Sequence, residues 1–452
     1  MSKGIAIHWF RQDLRIKDNP SLEAASQYES IIPVYILDDV NSGEFAMGAA
    51  SRWWLHQSLE KLNESLEGNL LIYKGNPSDI FNNIMKEQDI SHISWNRCYE
   101  PWRIDRDKAI KKDLESQNIK VESFSGALLW EPWKISKDDG TPYRVFTPFY
   151  KKGCLNADEP RFPTSSLKLS NLYTNKLNSE SLENLDLIPQ IDWYKDFEPE
   201  WSPGEEGADQ CLEEFLESGL LNYKEGRNFP SKKFVSRLSP HLHFGEISPR
   251  RVWHAVREAV GGKPAKNIVG SPEVYLRELG WREFANHLLY HFPHTPNEPL
   301  RKDYNRFPWV DDPIGLRAWQ KGRTGFPIVD AGMQQLWATG WMHNRVRMIV
   351  ASFLVKDLRI TWLEGARWFW DTLVDADLAA NTLGWQWAAG CGADAAPYFR
   401  IFNPTSQQQK FDPEEKYIDR WVVRDDTYPE PIVDHAEARK LALNALKKVS
   451  GK

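Results

Sequence analysis

Three short stretches carry side chains able to do chemistry at helical spacing. In the run from Tyr275 to Phe284, residues Tyr275, Glu278, Trp281 and Arg282 recur at intervals of three and four. That spacing sets an aromatic ring, a carboxylate, an indole and a guanidinium on one helix face. Gly340 reads as a helix stop, and the helix after it aligns Asn344, Arg347 and Met348. Asp377, Asn381 and Trp385 stand four apart and share a third face, with Asp375 just ahead of them. Seven tryptophans, at 337, 341, 362, 368, 370, 385 and 387, surround the last two stretches. So many indoles are expected to be buried, and burial penalises charged and amide groups unless they are paired or bind something. A bound aromatic ligand reconciles the two. The alternative is a plain core whose polar groups satisfy one another, with Glu278 and Arg282 as an exposed ion pair.

The common catalytic schemes do not fit these parts. No serine sits in a Gly-x-Ser-x-Gly elbow. His241 and His243 are two apart with no third ligand near in sequence, so metal is not expected. Gly390–Ala395 imitates a dinucleotide fingerprint but follows a helical pattern rather than a strand. What remains suits one-electron chemistry, because indoles can be transiently oxidised. An anion has its own candidate in Val235–Pro240, where two hydroxyls, Arg237 and a Ser-Pro helix start stand together.

The elements that must position these groups divide the chain. Apolar segments at 5–10, 31–37, 69–73, 92–95 and 121–124 read as strands separated by helical patterns, the first helix opening at Asn19-Pro20. This predicts an α/β fold, a doubly wound parallel sheet over residues 1–130, with a pocket beyond the strand ends marked by Arg11, Asp38, Asn96 and Tyr99. It has no Gly-rich phosphate loop, so a dinucleotide there is not expected. Residues 131–205 lose periodicity and read as a long connector that joins domains or wraps one of them. Residues 206–452 turn to helical periodicity, an all-α domain that ends in a helix from Asp434.

Composition narrows the rest. The 452 residues carry a net charge of −6, yet residues 155–217 alone hold fifteen acidic against four basic groups, so a weakly basic face elsewhere is permitted. The absence of a signal-peptide pattern and of any long apolar run predicts a cytoplasmic protein without membrane spans. Cysteines 98, 154, 211 and 391 have no close pair, which predicts reduced thiols and no zinc knuckle.

His8–Arg15, Phe146–Phe149, Ser236–Ser239, Gly325–Ala331, Trp341–Met348 and Asp375–Trp387 together resemble the photolyase/cryptochrome flavoproteins along essentially the whole chain. Ser239–Glu246 and Phe307–Trp309 are similar to the bacterial cyclobutane pyrimidine dimer (CPD) photolyases nearest the plant cryptochromes. The resemblance implies a C-terminal FAD-binding domain. Tyr223, Ser236, Arg237, Leu238 and Ser239 would lie on the diphosphate side, and Tyr275, Glu278, Arg282, Asn344, Arg347, Asp375, Asp377 and Asn381 around the rest of the cofactor. Arg347 with Asp375 would form a buried ion pair, and Asn381 would face flavin N5. Trp385, Trp362 and Trp309 would relay electrons to the surface.

Catalysis would fall to Glu278, Trp281, Asn344, Met348, Asn381 and Trp387; Glu278, if protonated in a buried site, would donate to a pyrimidine carbonyl. Trp281, Trp387, Arg227 and Arg345 would meet DNA, while Trp337, Trp341, Trp368 and Trp370 remain core. The reaction implied is light-driven opening of pyrimidine dimers in DNA by reduced FAD, in a monomer, with methenyltetrahydrofolate as a further, antenna chromophore. A cryptochrome-type photoreceptor and a (6-4) photolyase are the alternatives. Long C-terminal extensions are common in the first and absent from this sequence; the second would place a histidine pair where Asn344 and Met348 stand. Two departures are visible. Val235 replaces the threonine frequent in relatives, and Glu100–Arg103 stands where some photolyases carry an Asn-Glu pair for folate. With only Cys211 and Cys391 in the helical part, the iron–sulfur cluster of some relatives is not expected.

Overall fold

In the computed structural model, residues 4–450 are described except 165, 166, 168, 176 and 396–398. Strands β1 (Ile5–Phe10), β2 (Ser30–Leu37), β3 (Leu71–Lys74), β4 (Ile90–Asn96) and β5 (Lys120–Phe124) form one parallel sheet in the order β3-β2-β1-β4-β5. Helices α1 (Pro20–Ala25), α2 (Ala49–Ser65), α3 (Pro77–Glu87) and α4 (Pro101–Ser116) connect them. The doubly wound sheet read from the sequence is the one observed. Its strands are apolar along most of their length because helices cover both faces. Asn19 caps α1 by accepting from Leu22 N at 3.1 Å, and Asn76 caps α3 through Ser78 N at 3.0 Å, each with proline in the first turn.

Beyond β5 the chain is helical: α5 (Phe146–Pro148), α6 (Glu205–Glu214), α7 (Tyr223–Gly226), α8 (Ser239–Phe244), α9 (Pro249–Glu258), α10 (Ser271–His291), α11 (Pro313–Gln320), α12 (Pro327–Thr339), α13 (Asn344–Ser352), α14 (Trp362–Thr372), α15 (Leu378–Ala389), α16 (Pro404–Phe411), α17 (Lys416–Trp421) and α18 (His435–Ser450). Gly340, at φ +64°, ends α12 in the left-handed conformation that glycine adopts at little cost.

The aperiodic segment 131–205 packs on both sides of the molecule. Phe146, Phe149 and Tyr150 join the core of α6, α9 and α10, whereas Leu185, Phe197 and Trp201 join Trp53 and Trp54 of α2 beside the sheet. Isolated bridges, Ile31 with Leu172 and Ile72 with Glu180, stitch it to β2 and β3.

The two parts are pinned directly. Buried Arg15 donates to the carbonyls of Asp18 (2.9 Å), Gly126 (2.8 Å) and Gly245 (2.8 Å). Leu14 N donates to Phe244 O at 3.0 Å, and a side chain at Gly245 (φ +70°) would collide with the Gln12 carbonyl.

Candidate functional site

Tyr223 of α7 and Tyr275 of α10 meet edge to face, centroids 5.1 Å apart. Both are buried. Leu238 is buried at the start of α8, followed by exposed Ser239, whose Oγ lies 3.4 Å from Trp341 Nε1. Arg237 departs from the expectation of an anion ligand. Its φ of +54° turns the guanidinium to Glu200, through Oε2 at 3.2 Å and the carbonyl at 3.1 Å, and over the Trp201 ring at 4.1 Å. It clamps the loop that carries Ser236–Ser239.

Helix α13 supplies the centre. Arg347 donates from Nη2 to both Asp375 oxygens (3.0 and 2.8 Å) and from Nε to Met342 O (2.8 Å); its Nη1 has no partner among the described residues. Asp375 is buried and Arg347 half-buried, so the pair expected from the sequence forms. Asp377 caps α15 by accepting from Ala380 N at 2.8 Å and lies 3.5 Å from His243 Nδ1. Burial opposes its ionisation, but His243, Arg282 and that amide hold it below the usual carboxylate range. Asn381 donates to Ala366 O at 3.0 Å. Arg282 does not pair with Glu278: it donates to Ala127 O (2.7 Å) and lies 3.4 Å from Leu242 O and from Glu283. His343, which the sequence reading missed, caps α13 by accepting from Arg345 N at 3.2 Å. Burial, with Arg345, Arg347 and Arg227 around it, depresses its pKa to about 3, so it stays neutral. Asn344 beside it is exposed.

At the outer end stand Glu278, Arg227, Arg345, Met348, Trp281 and Trp387. Glu278 is less buried than expected. It keeps 29% side-chain exposure and pairs with Arg227, itself 22% exposed and 5.4 Å over the Tyr223 ring. Arg345 reaches Asn228, lies 3.7 Å from Met348 Sδ and covers the Phe411 ring at 4.4 Å. Trp281 stacks on Phe146 at 3.8 Å and 9°, which fixes its plane. Trp387 is half-buried beside Arg400.

Of the seven tryptophans of the indole-rich run, only Trp362 and Trp385 are fully buried. Trp337, expected in the core, is 46% exposed and stacks between Trp193 and Trp368. Trp341, Trp368 and Trp370 are half-buried, as is Trp309, which packs on Phe307 at 4.3 Å. Trp385 fits so closely against α14 that a side chain at Gly365 would enter its ring. Its other neighbours are Phe369 (5.0 Å) and fully buried Trp319 (6.1 Å). Trp319 lies outside the indole-rich run.

Beyond the sheet a recess opens to solvent. Arg11, Asp38, Trp102, Arg103 and Arg106 line it, with His243 and Trp370 from the helical part. Asn96 is not in it: that side chain is buried and holds Asp13 and Asn19. Tyr99 borders a neighbouring, smaller recess with Gln12, Arg282 and Asp377.

Comparison with known proteins gives a consistent result. Residues 6–166 match the family model described as DNA photolyase, and residues 275–424 match the FAD binding domain of DNA photolyase. The chain is 44% identical to a deoxyribodipyrimidine photo-lyase of Agrobacterium fabrum over 97% of both chains. It is 37% identical to Cryptochrome-1 of Arabidopsis thaliana over 96% of this chain and 65% of that protein. A crystal structure of a bacterial class III photolyase from Agrobacterium tumefaciens superposes with a TM-score of 0.93 at 43% identity, covering 100% of this chain and 99% of the other.

Proposed function

This chain belongs to the photolyase and cryptochrome family, and on that premise we propose that it repairs cyclobutane pyrimidine dimers in DNA under blue light, with FAD as cofactor. The observation that carries this reading is the double orientation of α13. On one side Arg347 is locked to buried Asp375; on the other, Arg345 and Met348 stand at the outer end with Arg227, Glu278 and Trp281. One rigid helix thus connects a cofactor berth to a cationic, aromatic mouth suited to a flipped-out base pair beside phosphates.

The residues present fit FAD. Arg347 Nη1 is free to donate, Asp377 is held ionised at a helix start, and Asn381 offers a neutral amide. Tyr223, Ser236, Leu238, Ser239 and Tyr275 would hold the diphosphate side, with Arg237 steadying their loop. Asn344, Arg282, Arg347, Asp375, Asp377 and Asn381 would hold the rest. Bound in its reduced form, the cofactor would supply light-driven one-electron donation to the dimer, with return of the electron once the cyclobutane bonds have opened.

The protein's own residues position and shield. Trp281, flattened on Phe146, and Trp387 would wall the dimer; Met348 gives it a soft contact, and Asn344 and Glu278 face its polar edge. Arg227 and Arg345 would take the flanking phosphates. Trp385, Trp362 and Trp309 would carry electrons between the interior and the surface. The recess beside Arg11 and Trp102 is where an antenna chromophore such as methenyltetrahydrofolate would sit. No helix among the described residues is long and apolar enough to cross a membrane. A cytoplasmic monomer completes the reading.

The test is direct. Protein reduced and illuminated with blue light should restore thymine absorbance in an oligonucleotide carrying the dimer. No recovery, with reduced FAD bound, would transfer the assignment to a photoreceptor, the reading favoured by the match to Cryptochrome-1.

A further inference from the structure

In the sequence His241 pairs with His243 without a third metal ligand, and the structure gives it other company. His241 of α8 is fully buried. Its Nδ1 is hydrogen-bonded to Glu246, itself 1% exposed and fixed by Trp54 Nε1, which donates to the second carboxylate oxygen at 3.0 Å. Its Nε2 lies 3.8 Å from Cys211 Sγ on α6. A thiol, an imidazole and an orienting acid thus stand in line, the arrangement that activates a cysteine nucleophile.

The other cysteines sharpen the contrast. Cys98, Cys154 and Cys391 are buried, and burial pushes each thiol up, away from the reactive thiolate. Cys211 alone of the four keeps some solvent exposure. Burial would depress the His241 imidazole, but Glu246 and Cys211 outweigh it and raise its pKa to about 9, so it carries a proton at neutral pH.

We propose that Cys211 is a covalent modification site, a thiol activated by His241 and Glu246 that undergoes exchange with low-molecular-weight disulfides. In that step the thiol proton is lost to solvent, the protonated His241 Nε2 donates to the negative charge that develops on sulfur, and Cys211 Sγ attacks one sulfur of the disulfide. A new sulfur–sulfur bond forms as the old one breaks. The displaced thiolate leaves with the electron pair and takes up a proton, so the disulfide is the oxidant and no further redox partner is needed.

Folded, FAD-loaded protein exposed to oxidised glutathione tests this by intact mass and peptide mapping. The expected result is one adduct, on Cys211, forming about tenfold faster than at the same cysteine in the denatured chain. C211S should form none, and E246Q should slow the reaction toward the denatured rate. An adduct at another cysteine, or native Cys211 reacting no faster than the denatured chain, would overturn the proposal. The comparison of native with denatured wild-type protein holds even if E246Q folds poorly.

Discussion

Glu278→Ala tests how the mouth of the site discriminates. Glu278 and Arg227 are paired in the free protein, with side chains 29% and 22% exposed. An ion pair this accessible is worth about 1 kcal/mol or less. DNA that draws Arg227 onto a phosphate must first break that pair, and the carboxylate also repels the phosphate. Removing Glu278 lifts both penalties for any DNA, so undamaged DNA should bind up to roughly fivefold tighter. For damaged DNA the gain is offset by the lost contact to the base edge, worth about 1 kcal/mol, and affinity should change little. Discrimination therefore falls although binding does not, and the repair yield per absorbed photon falls with it. Fluorescence anisotropy with matched damaged and undamaged oligonucleotides across a salt series is the assay. The variant's plot of log affinity against log salt for undamaged DNA should steepen by about 0.9, one phosphate's worth. Unchanged affinity and slope for undamaged DNA, or an unchanged repair yield, would refute the reasoning.

Trp309→Phe should slow photoreduction of oxidised FAD while leaving repair by pre-reduced protein intact; loss of both would contradict its place in a relay. Gly365→Ala should destabilise the protein by about 1–3 kcal/mol, because the new methyl enters the Trp385 ring; an unchanged urea midpoint would count against that packing. His343 is held neutral down to about pH 3, whereas its ordinary value is 6.5. Protonation of the unfolded chain therefore erodes stability as pH falls below 6.5, by up to about 2 kcal/mol between pH 7 and 5. His343→Gln should flatten that part of the urea-stability profile, and an equally steep profile would exclude the histidine as its source.

What the sequence disclosed, and what it hid, follows from the range of the interactions. The strands and the Asn19-Pro20 helix start were legible because period and capping are local. The Arg347–Asp375 pair was reached through resemblance, since nothing in the spacing of the two residues requires it. Partners that lie far apart along the chain were not legible. Helical spacing put Glu278 and Arg282 on one face, but α7 brings Arg227 to Glu278 and the segment after β5 brings Ala127 to Arg282. Arg237 looked like an anion ligand because Glu200 lies in the aperiodic segment, where no pattern announced a partner. Tryptophan count suggested burial, yet Trp337 satisfies its ring by stacking at the surface.

Arg15 ties carbonyls from three separate segments, and the contact of Gly245 with Gln12 leaves no room between the parts it joins. Such a junction resists relative movement of the parts it joins. A chromophore in the recess and a flavin in the helical part would keep one separation and one angle between their transition dipoles. Resonance energy transfer between them would then proceed from a single geometry instead of a thermal average. Its rate should be indifferent to solvent viscosity, and the junction acts as an optical mount as much as a structural seam.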